Sequence, residues 1–76
     1  MNGADVLKAT IERLIENADE ALQEAKAHKN DSPYYGARKD VYYEVLDTIK
    51  DDIIMGDLDP ADYGLGIDLE KRYLQG

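Results

Sequence analysis

The chain has 76 residues, with 17 acidic side chains against 9 basic ones, one His and no Cys, for a formal charge of −8. A chain this short forms one small domain and buries only about 60–65% of its unfolded surface, so a single core supplies few kcal/mol. Disulfides and thiolate metal sites are excluded, one His leaves a structural zinc without its ligands, and the charge opposes binding to nucleic-acid phosphates or an anionic membrane.

Residues 3–29 carry Leu7, Ile11, Leu14, Ala18, Ala21, Ala25 and His28 at alternating steps of four and three. That is the seam of a helix packed lengthwise on another, and Ile15 and Leu22 widen it to suit a bundle. Asn2 or Asp5 can accept from the free N–H groups at its start. The opposite face carries Glu12, Glu16, Asp19, Glu20 and Glu24.

Asn30-Asp31-Ser32-Pro33 is a stop followed by a start, with Ser32 as N-cap and Pro33 in the first helical position. A second helix is predicted over about 33–55. Its buried side should include Tyr35, Tyr42, Val45, Leu46, Ile49 and Ile53, bordered by Val41 and Tyr34. Gly56 is the expected left-handed residue that closes it. The short connection makes the two helices antiparallel neighbours.

From residue 57 the composition changes. Asp59-Pro60 resembles a cap and a first-position proline, and Gly64 and Gly66 break the turn that follows. Ile67–Leu74 is read as a short helix begun by Asp68, with Leu65, Leu69 and Tyr73 on one side; a flexible tail over 57–76 is the alternative. The longest aliphatic cluster, Ile53-Ile54-Met55, falls far short of the roughly 20 residues of a membrane span. The first twenty residues have no basic stretch followed by an apolar run, so a cytoplasmic protein is expected.

Charge is segregated. Residues 1–39 sum to −1 and residues 40–76 to −7. The tip between the helices is locally basic, with Lys26, Lys29, Arg38 and Lys39.

No nucleophile–base pair is evident. The only Ser is better used as a cap, His28 belongs at a helix C-terminus, and the carboxylates fall on exposed faces, so no enzyme, cofactor or metal is expected. The carboxylates at 57, 59, 62 and 68 do not make a calcium loop. Counted from Asp57, the turn glycine is replaced by Asp62 and the bidentate Glu by Asp68.

Two features point to binding instead. Tyr34, Tyr35, Tyr42 and Tyr43 crowd into ten residues, with Arg38 three and four positions from Tyr35 and Tyr42. Tyrosine with arginine is the composition of interface hot spots. The plainer alternative is that these rings cap the core. The second feature is the row Asp40, Glu44, Asp47 and Asp51, repeated on the first helix by Glu12 and Glu16 with Asp19 and Glu20. Such a row imitates the phosphates of a strand and could enter a basic groove; the alternative is a solvated face.

The run from Tyr35 to Ile49, Tyr-Gly-Ala-Arg-Lys-Asp-Val-Tyr-Tyr-Glu-Val-Leu-Asp-Thr-Ile, resembles a pattern in short proteins encoded by phages and prophages of Gram-positive bacteria. There an aromatic residue and a Gly precede a helix similar to D-A-Y-x-E-V-L-D-x-I, and Val41 stands where that pattern has Ala. The resemblance covers about a fifth of the chain. It implies an accessory or inhibitory protein that binds a host or phage macromolecule, and it brings no active site.

The sequence therefore predicts an all-α hairpin whose stripes need a second surface. The first choice is a homodimeric four-helix bundle joined through Leu7, Ile11, Leu14, Ala18, Leu22, Val45, Ile49 and Ile53; the alternative is that residues 65–74 fold back as a third helix. The expected function is a non-enzymatic protein–protein interaction module. The alternatives are an acidic nucleic-acid mimic and a structural homo-oligomeric subunit.

Overall fold

In a computed structural model, residues 2–30 and 33–75 are described. They form α1 (Gly3–Ala27), α2 (Pro33–Met55), a 3₁₀ turn (Pro60–Tyr63) and a terminal π-helical turn (Glu70–Leu74), with no strand among them. The fold is all-α, and α1 and α2 pack on each other in opposite directions, with His28 against Tyr35, Glu24 against Arg38 and Leu14 beside Val45. The expected N-cap Ser32, with Asp31, lies outside the described residues.

Local chemistry sets the boundaries. The Asn2 side chain accepts from the Asp5 N–H at 3.0 Å and caps α1. Pro33 opens α2, where its missing N–H is harmless. The close of α2 differs from expectation. The left-handed residue is Asp57, at φ 59°, and Gly56 is not at positive φ. Leu58 N–H donates to the Ile53 carbonyl and Asp57 N–H to the Ile54 carbonyl, both at 3.0 Å, the paired bonds of a Schellman close that puts its left-handed residue one position after Gly56. Asp59 then accepts from the Ala61 N–H at 2.9 Å ahead of Pro60, and Gly64 at φ 79° ends the turn. The last turn starts from Asp68, whose side chain accepts from the Lys71 N–H. Thus Asp59 and Asp68 serve as caps. Among the described residues, no three His, Asp or Glu side chains converge where a metal could sit.

The segment after α2 folds back over one face of the hairpin. Its Leu65, Leu69 and Tyr73 are buried with Ile11, Ala18, Leu22, Leu46 and Ile53 in one core. Residues 65–74 do fold back, but the expected third helix over 67–74 is reduced to the turn Glu70–Leu74, and the fold-back corrects the dimer seam. Ile11, Ala18, Leu22 and Ile53 are closed off inside a single chain, so they cannot face a second copy. Leu14 and Ile49 are half-buried, while Leu7 and Val45 stay exposed. The buried arc of α2 is rotated relative to expectation: Tyr43, on the side facing the returning segment, packs on the core, and Val45 is 40% exposed.

Two polar clasps hold the returning segment. Lys50 Nζ donates to the Ile67 carbonyl at 2.6 Å. Asp19 accepts a two-pronged contact from Arg72, at 3.0 and 2.7 Å, and a third bond from the Tyr73 hydroxyl at 2.6 Å. Close approach matters at one glycine. A Cβ on Gly66 would sit 2.9 Å from the Ala61 Cβ, so only Gly lets the chain double back there.

Candidate functional site

The returning segment covers one face of the hairpin and leaves the opposite face bare. On the bare face lies a groove of about 550 Å³, lined by Leu14 from α1 and by Tyr34, Ala37, Arg38, Val41, Tyr42 and Val45 from α2. A shallower hollow continues it along α2 past Glu44, Val45, Thr48 and Ile49. Helical spacing explains the arrangement. Tyr34, Arg38, Val41, Val45, Thr48, Asp52 and Met55 follow steps of four, three, four, three, four and three, which keeps them on one side of α2. Tyr34 is 62% exposed, Val41 57% and Met55 80%. Apolar side chains this exposed, aligned along one face, mark an interaction surface more often than a solvated one.

The five residues expected to meet a partner do not stay together. Tyr34, Arg38 and Tyr42 line the groove. Arg38 donates to Glu24 at 2.8 Å and stands 5.5 Å from the Tyr42 ring centre, so its guanidinium is held beside the groove by two contacts. Tyr35 turns to the tip of the hairpin and stacks on His28, ring centres 4.2 Å apart. Tyr43 lies on the covered side. Partial burial pushes its phenol pKa up, and the charges of Asp47, Glu70, Asp51 and Asp68 push it the same way. Tyr35 and Tyr43 therefore leave the candidate groove, because successive helical residues diverge by about 100°.

The acidic row is also redistributed. Asp40, Glu44 and Asp51 are exposed and Asp47 is half-buried along the outer edge of α2; Glu12 and Glu16 are exposed on α1. Asp68 and Glu70, on the returning segment, act on the Tyr43 ring together with Asp47 and Asp51. Asp19 leaves the row. Burial pushes its carboxyl pKa up, but the hydrogen bonds from Arg72 and Tyr73 and the Arg72 charge together outweigh that and hold it below the usual 3.8. In the same clasp, burial and then the bond to Asp19 push the Tyr73 phenol up to about 12. Nothing local in the sequence signals this clasp, since its partners lie 53 and 54 residues apart.

At the tip, a hollow of about 300 Å³ is ringed by Lys26, Lys29 and Lys39 beside His28. The basic end expected from the sequence is thus gathered in space. Among the described residues, no helix is long and apolar enough to cross a membrane. In comparisons with protein-family models, curated proteins and solved structures, nothing matches this chain.

Proposed function

We propose that the chain is a non-enzymatic protein–protein interaction module whose docking surface is the bare face of the hairpin. The observation that carries this reading is the groove of about 550 Å³ with an exposed tyrosine, two exposed valines and a positioned arginine. A rigid aromatic body with a polar tip, beside an arginine whose geometry is already fixed, favours binding by reducing the ordering cost of contact. The groove suits the apolar ridge of a helix laid along α2. Such a ridge on a second copy would complete a four-helix bundle. On a host or phage protein, it fits the accessory or inhibitory role implied by the resemblance at residues 35–49.

Val41→Asp with Val45→Asp tests the reading, since both side chains are exposed and neither belongs to the core. The pair should abolish any association the wild-type chain makes, with unchanged helicity by circular dichroism. Undiminished association would refute the docking surface.

A second reading, mimicry of a nucleic-acid strand, draws support from the two acidic residues that the returning segment adds beside Asp47 and Asp51. It predicts binding that weakens steeply with salt and is lost on reversing Glu44 and Asp47 to Lys.

A further inference from the structure

We infer that the occupant of the bare face is a second copy of this chain, turned antiparallel and packed face to face, with Val45 on the two-fold axis. The inference rests on the docking surface proposed above and names its partner. Its basis is a charge pattern that complements itself. Along the exposed side of α2, Arg38 lies seven residues before Val45 and Asp52 seven residues after it. Seven residues are two turns, so both groups stand on the same side as Val45, about 10 Å to either end. An antiparallel mate centred on Val45 therefore sets Arg38 of one copy against Asp52 of the other, twice over.

The apolar positions follow the same symmetry. Val41 meets Ile49 of the second copy, and Tyr34 meets the end of its α2 at Met55, the most exposed large apolar side chain among the described residues. A polarizable thioether beside an aromatic ring is a favourable pairing.

The alternative two-fold arrangement, with the hairpins parallel, is opposed by the same charges. It would bring the lysine-ringed tip of one copy against that of the other, and stack the ends carrying Asp51, Asp52, Asp57 and Asp59. The antiparallel arrangement sets each basic tip against an acidic end. Among the described residues, no cation pairs with the Asp52 carboxylate, whereas Arg38 already has Glu24 to share.

Size is consistent with this. Two helices side by side, each about 10 Å across and about 35 Å long, present on the order of 700 Å². Each partner in a stable interface contributes roughly 800 Å². The acidic edge at Asp40, Asp47 and Asp51 faces away from the axis and stays open to other partners.

The absence of cysteine gives a direct test. Val45→Cys should form a disulfide-linked dimer within minutes under mild oxidant at micromolar concentration, whereas Asp62→Cys, on the 3₁₀ turn, should not. Separately, Asp52→Lys should weaken the dimer about tenfold or more in sedimentation, and adding Arg38→Glu should restore it. Asp52 makes no side-chain contact that the fold requires, so its variant separates lost association from lost folding.

Three results overturn the inference. If the chain stays monomeric at every concentration, and Val45→Cys does not cross-link, the second copy is not the occupant. The docking surface itself then survives if the wild-type chain still binds an apolar dye that Val41→Asp with Val45→Asp does not. If the chain dimerises but Val45→Cys does not cross-link and Val41→Asp with Val45→Asp leaves the dimer intact, the interface is elsewhere and both readings fall. If Val45→Cys cross-links but Arg38→Glu fails to rescue Asp52→Lys, the antiparallel register is wrong.

Discussion

The two faces of the hairpin are built from the same pair of helices, yet one is closed and the other open. On the covered face, Leu46 and Ile53 of α2 meet Leu65, Leu69 and Tyr73 and are buried. On the bare face, Val41 and Val45 of the same helix are exposed along the groove and lie outside the core. The difference does not lie in side-chain type, since aliphatic and tyrosine residues occupy both. It lies in which face the returning segment covers. Residues 57–75 are long enough to cover one face, and the Asp19 clasp fixes which one.

The comparison is tested most severely by large deletions on the covered face. Tyr73→Ala should cost about 3–5 kcal/mol, because it removes a fully buried ring and a hydroxyl that satisfies Asp19. Chemical denaturation checks this, and a loss below about 1 kcal/mol would mean that the returning segment is a loose strap. Tyr73→Phe isolates the polar part and should cost about 1–2 kcal/mol.

The same hydroxyl gives a pH signature. A phenol pKa raised to about 12 in the folded chain contributes stability that is intact below the unfolded value near 10 and lost as pH rises through 12. Thermal midpoints of the wild type should fall across that window more steeply than those of Tyr73→Phe. At the acid end, the depressed Asp19 carboxyl contributes stability above about pH 4 that is lost as pH falls through its folded value.

Two backbone sites sharpen the covered side. Gly66→Ala forces a methyl against Ala61 and should cost about 1–3 kcal/mol. Asp57→Gly should stabilise by about 1 kcal/mol, because it relieves a left-handed aspartate. The bare face should respond least. At dilutions where copies are apart, Val45→Ala should change stability by no more than about 0.5 kcal/mol.

Much of the covered face was legible in the sequence. The helices expected over 3–29 and 33–55, found at Gly3–Ala27 and Pro33–Met55, the caps at Asn2 (one of two candidates), Asp59 and Asp68, and the triad Leu65, Leu69 and Tyr73 all follow from local patterns. Which side of α2 it covers was not. α1 gathers its apolar residues on one side far more than α2 does, because α2 meets α1, the returning segment and open water in turn. Periodicity alone cannot rank three apolar sides, so Val45 was expected inside and Tyr43 outside. The clasp escaped for a different reason. Asp19 reads as one more member of an acidic row until the chain brings Arg72 and Tyr73 to it from more than 50 residues away. The candidate groove was half visible. Tyr34, Arg38 and Tyr42 came from composition, but the seam that joins them to Asp52 and Met55 shows only once the covered side is known.

The most direct test of the account is sedimentation equilibrium of the wild-type chain and of Val41→Asp with Val45→Asp, over a wide concentration series. The account predicts that the wild type moves from the 8.5 kDa of one chain to twice that mass, while the double variant stays at one chain with the same thermal midpoint in dilute solution. Equal masses for the two proteins at every concentration would contradict it.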